Sequence, residues 1–105
     1  MSNIVIVTRH TGMVEWLKNN NVVGEVITHA TPDNVRGKIV VGVLPMNLAS
    51  LTDAMVTVDM PGLPAEMRGK DLTPEQMDEY GAVMSCYRVS LCYKVVPESD
   101  HPKTG

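Results

Sequence analysis

Ile4-Val5-Ile6-Val7-Thr8-Arg9-His10-Thr11-Gly12 decides how this chain is read. Its apolar, β-branched beginning predicts a buried parallel strand, and Met13, Trp16 and Leu17 then follow at helical spacing. Arg9 to Gly12 is therefore a tight strand-to-helix turn. In an open α/β sheet such a turn lies at the carboxyl edge, where the free amides of the first helical turn favour an anion. Arg9 and His10 add cationic side chains there, or stand as ordinary charges on a solvated loop. With a single glycine the turn is neither a dinucleotide fingerprint nor a phosphate-binding Walker loop.

The rest of the chain supplies what such a strand needs. The first helix is expected from about Gly12 to Asn19, with Thr11 as N-cap and Glu15 early in the helix. Glu25 to His29 reads as a short strand with His29 near the same sheet edge, where a structural role is the ordinary one for a histidine. Thr31-Pro32-Asp33-Asn34 suits a turn or a single helical turn. Lys38 to Leu44 is a second continuous apolar run, a central strand covered on both faces, and Gly42 inside it lets a ligand or another backbone come close. After Pro45, Leu48 and Leu51 predict a helix from Met46 to Ala54 with Asn47 as its cap. If the first and third strands are neighbours whose helices pack on opposite faces, their carboxyl ends frame a switch-point crevice suited to phosphate.

Met55 to Met60 reads as a fourth strand ending near Asp59, followed by Pro61-Gly62-Leu63-Pro64. Ala65 to Leu72 carries Glu66, Arg68, Lys70 and Asp71 around Gly69 and forms a loop leaving the same edge. Arg68 either closes over the crevice or is a surface charge. Thr73-Pro74-Glu75-Gln76 is a helix start, with a cap, a proline at the first position and a carboxamide at the third; that helix should reach about Gly81. Met84 to Val96 alternates apolar and polar residues, which predicts an antiparallel edge strand or a dimer-contact strand. The resulting fold class is α/β: a small, mostly parallel, Rossmann-like sheet with helices on both faces and an antiparallel C-terminal edge strand. Residues 1–96 are expected to form one domain and 97–105, with His101, a flexible polar tail.

Composition narrows the partners. A net charge of −3 argues against duplex nucleic acid but leaves room for a small anion held by a few positioned groups. No signal-like start or membrane-length apolar run is present, so a cytoplasmic protein without a membrane partner is expected. Cys86 and Cys92 lie on one predicted strand, roughly 20 Å apart at strand rise, too far to bridge. Neither they nor the three histidines have metal-ligand spacing, and no cofactor is expected. With eight methionines and no phenylalanine the core is built from Val, Ile, Leu and Met, and a homodimer would bury a further apolar face.

Several short pieces, in order, resemble the small CRISPR-associated accessory proteins of type III systems of the ring-nuclease type, which degrade cyclic oligoadenylate messengers. They are Thr8-Arg9-His10 with Gly12 and Glu15-Trp16; Gly42-Val43-Leu44-Pro45 with Asn47-Leu48-Ala49; Asp59 with Pro61; and Arg68-Gly69-Lys70-Asp71-Leu72. The resemblance spans roughly residues 4 to 72 and departs from the family at Pro61 to Pro64 and in the last strand and tail. It implies a CARF-like fold and metal-independent cleavage of a cyclic oligoadenylate, with cyclic tetra-adenylate the expected ring. A ribose 2'-hydroxyl would attack the adjacent phosphorus. It implies catalytic roles for His10, Arg9 and Arg68, and ligand contacts from Thr8, Thr11, Gly12, Gly42, Pro45, Asn47 and Asp59. The other functions left open are a non-catalytic cyclic-nucleotide sponge or anti-defence protein using the same crevice, and an interaction protein recruiting a partner through its last strand.

Overall fold

A computed structural model of the chain describes residues 3–97. Its centre is a five-stranded sheet in the order β2-β1-β3-β4-β5, formed by β1 (Ile4–Val7), β2 (Glu25–Ile27), β3 (Ile39–Val41), β4 (Ala54–Asp59) and β5 (Val83–Tyr87). The first four strands are parallel, and β5 runs antiparallel to β4. The expected α/β class and antiparallel edge are both present.

Register explains why the two early apolar runs are continuous. Val5, Val40 and Met55 stand side by side on one face, and Ile6, Val41 and Val56 on the other. Both faces are covered, so every residue of the central strands meets a helix or a neighbour. The first face packs on Val35 of α2 (Pro32–Val35) and Ala49 of α3 (Met46–Ala49). The second packs on Trp16 and Leu17 of α1 (Thr11–Asn19) and Met77 of α4 (Pro74–Glu79). Trp16 also donates from Nε1 to Asp78 Oδ1 at 2.7 Å, tying α1 to α4.

Several element ends differ from the sequence expectation. The N-cap of α1 is His10 rather than Thr11, because the Thr8 hydroxyl accepts the His10 N–H at 3.1 Å and begins the turn earlier. The N-cap of α3 is Pro45, and Asn47 is inside the helix. That helix stops at Ala49 instead of reaching Ala54: the Ser50 hydroxyl donates to the Asn47 carbonyl and the Thr52 hydroxyl to that of Ala49, satisfying its last acceptors. The second strand ends at Ile27, two residues before His29, and the third at Val41, since Gly42 takes φ +144. α4 follows expectation, with Thr73 and Gln76 forming a capping box.

The largest correction is the last strand, which ends at Tyr87 rather than Val96. Tyr87 pairs with Met55, and β4 begins only one residue earlier, so the segment beyond has no strand left to pair with. Cys92 is consequently outside the strand that holds Cys86; both are free and exposed. The tail expected over 97–105, with His101, lies outside the described residues except for Pro97. Among the described residues no helix is long and apolar enough to cross a membrane.

Candidate functional site

The strand order puts β1 beside β3, with α1 on one face and α3 on the other, so the chain reverses its winding between them. That is the topological switch point of an open α/β sheet, where ligands bind beyond the strand carboxyl ends. A crevice of about 350 Å³ lies there. Ile6, Val7, Met13, Val41, Val43 and Val58 make it apolar, and Thr8, Arg9, His10, Thr28 and Gly42 complete its lining. A few polar groups converging on an apolar hollow of this size is the common form of a small-molecule site.

The opening turn owes its shape to Thr8. Its N–H donates to the Ile27 carbonyl at 3.0 Å, fixing the end of β1 against β2, while its hydroxyl receives the His10 N–H. Arg9 and His10 are thereby carried to the start of α1, where the first-turn amides have no acceptor within the helix. Arg9 is exposed, and no ion pair joins it to an acidic group among the described residues. His10 is paired: its Nδ1 meets Asp71 Oδ1, a carboxylate 61 residues further along the chain.

Both glycines of the expected site serve close backbone packing. A Cβ on Gly12 would stand 1.8 Å from the Leu72 carbonyl oxygen, so this buried position gives the crossing loop its clearance over α1. A Cβ on Gly42 would stand 2.8 Å from the Val7 carbonyl oxygen, and its φ of +144 is one that residues with side chains rarely adopt. Of the two groups the sequence allows near Gly42, the β1 backbone is there, and Gly42 also lines the crevice.

The remaining expected residues are placed around the crevice rather than in it. Thr11 is exposed as the first residue of α1. Pro45 is exposed at the start of α3, and Asn47 lines a separate groove between that helix and residues 89–94. Asp59 points to the opposite side of β4 from Val58, beside Thr57. Arg68 is exposed after the short 3-10 turn Ala65–Met67 and does not line the crevice. Two residues of its loop come closer: Lys70 and Leu72 share a small cavity of about 60 Å³ with His10. Lys70 and Asp71 were given no role by sequence reasoning. The signal available was their place in Arg68-Gly69-Lys70-Asp71-Leu72, immediately before a strongly capped helix. Among the described residues no three His, Cys, Asp or Glu side chains are grouped so as to hold a metal ion.

A family model described as "Putative CRISPR-associated protein (Cas_VVA1548)" matches residues 5–90, well over half of the chain. The chain belongs to this family. The match runs from β1 through β5 and so contains the crevice, the Arg68–Leu72 loop and α4. It bears out the CRISPR association that the sequence resemblance implied. Comparison with curated proteins found no match, and comparison with solved structures found none.

Proposed function

We propose that the chain is a ring nuclease that opens a cyclic oligoadenylate, with cyclic tetra-adenylate the first ring to test, and so lowers type III CRISPR signalling. The observation that carries the reading is the switch-point crevice, with Arg9, His10 and the first-turn amides of α1 at one rim. In this reading those amides and Arg9 hold the scissile phosphate. The ribose 2'-oxygen attacks phosphorus, the bond to the neighbouring 5'-oxygen breaks, and a 2',3'-cyclic phosphate remains. The proton lost by the 2'-hydroxyl is matched by one gained at the departing 5'-oxygen. His10 exchanges the proton at one of these two places.

The ring is larger than a single crevice, and a two-fold homodimer would offer it one crevice from each side. Val43 supports this: it lines the crevice yet is 83% exposed, an apolar surface suited to an adenine base or to a second copy. Arg68 and Asn47, which stand outside the crevice lining, are then groups reached by the outer parts of the ring. Sizing or light scattering tests the dimer, and a monomer mass would remove it.

The activity is tested by incubating the protein with a panel of cyclic oligoadenylates in EDTA. Linear products ending in a 2',3'-cyclic phosphate are expected. Intact ring recovered after denaturing a protein that had bound it would replace this reading with a sponge. Absence of binding to every ring would remove the crevice as a nucleotide site.

A further inference from the structure

We propose that Asp71 is a positioning residue for His10, holding the imidazole by Nδ1 so that Nε2 is the nitrogen left to exchange a proton. The inference deepens the reading of His10 as an acid-base group and rests on it. Three observations place Asp71 in this role. The first is the pairing of its carboxylate with His10 Nδ1, a side-chain contact between residues 61 apart in the sequence.

The second is how Asp71 is held. Its successor Leu72 crosses α1 at Gly12, so closely that any side chain there would collide with the Leu72 carbonyl. Thr73 then begins α4 in a capping box, with the Gln76 side chain accepting the Thr73 N–H at 3.0 Å and the Thr73 hydroxyl accepting the Gln76 N–H at 3.1 Å. Asp71 is thus the last loop residue before two consecutive fixed points, and its backbone is located although its side chain is exposed. The third is that Lys70 and Leu72 wall a small cavity together with His10, Met13, Met60 and Met77, so the loop on either side of Asp71 and the histidine face the same hollow.

The chemistry follows from the two ring nitrogens. A carboxylate can only accept, so Asp71 stabilises a proton on Nδ1, and in the neutral imidazole Nε2 must then be the acceptor. An imidazole in water prefers the opposite arrangement, with its proton on Nε2. The pair is open to solvent, with side-chain exposures of 48% for His10 and 78% for Asp71, so it adds little to folding stability. Its effect is on which nitrogen is free and on the ring's orientation.

The test is nitrogen NMR of the ¹⁵N-labelled full chain, combined with kinetics on cyclic tetra-adenylate. Neutral His10 is expected to carry its proton on Nδ1 in the native chain, to revert to Nε2 in Asp71→Ala, and to recover Nδ1 protonation in Asp71→Glu. Asp71→Ala should lower kcat by about tenfold or more while KM stays within about twofold, and Asp71→Glu should restore part of the loss. A native His10 protonated on Nε2, or a tautomer ratio unmoved by Asp71→Ala, overturns the pairing. A tautomer that moves while kcat does not overturns the positioning role. If the native chain cleaves no cyclic oligoadenylate, the functional reading fails and the role in turnover with it, whereas the spectrum decides the pairing without any turnover.

Discussion

Replacing Gly12 with alanine sets two known effects against each other, and the structure decides the sign. Alanine is the better helix former, worth up to about 1 kcal/mol within a helix. Against this, the new Cβ would stand 1.8 Å from the Leu72 carbonyl oxygen and 3.0 Å from its carbon. The colliding group is main chain, so no rotamer change relieves it. Either the loop lifts by roughly 1 Å or more or α1 shifts under it, at the upper end of the cost of overpacking, about 3 kcal/mol. The net expectation is a loss of about 2 kcal/mol, which for a domain of this size lowers Tm by roughly 8–16 °C. The displacement should also part Asp71 from His10 and open the loop, so trypsin should cut at Arg68 and Lys70 faster than in the native chain. Calorimetry and timed proteolysis measure the two effects on the same sample. A variant as stable as the native chain, cut no faster at either site, would refute the claim that the loop is seated on Gly12.

Asp78→Ala removes the acceptor of Trp16 Nε1, and Trp16 is only 4% exposed. Leaving that donor unpaired should cost about 1–3 kcal/mol, and because this is the chain's single tryptophan its fluorescence follows the unfolding directly. Thr73→Ala breaks the capping box of α4 and should lower stability by about 1 kcal/mol in urea titration; an unchanged midpoint would count against the cap. Arg9→Ala should weaken binding of cyclic tetra-adenylate more than it slows turnover. His10→Ala should keep binding and slow cleavage by about 10²-fold, read from single-turnover kinetics. Unchanged turnover in both would remove the proposed site.

The central sheet was legible because burial on both faces leaves a mark that no loop imitates. Ile4 to Val7 and Ile39 to Val41 are apolar without alternation, and each has a covered neighbour on either face. The ends of elements were less legible, because partners remote in sequence set them. Met84 to Val96 has the period of a strand throughout, but β4 supplies partners only as far as Met55, opposite Tyr87. Leu48 and Leu51 have helical spacing, yet the Ser50 and Thr52 hydroxyls take the carbonyls that a longer helix would have used. A pattern records what a segment can do; the neighbour decides where it stops.

The same distinction runs through the site. Thr8, Arg9 and His10 could be read as a unit because one local turn, held by the Thr8 hydroxyl, brings them together. The Asp71 partner of His10 could not, since only the fold closes that distance in sequence. The resemblance implies ligand contacts at Gly12 and Gly42, and in the fold each makes room for main chain, Gly12 for Leu72 and Gly42 for Val7. Gly42 also lines the crevice, whereas Gly12 does not. What remains to attract an anion is the set of first-turn amides of α1 together with Arg9, with Lys70 brought near by the loop that Gly12 admits. Gly12 thus serves the site indirectly: without its bare backbone, the segment that carries Lys70 and places Asp71 on His10 could not cross α1 so closely.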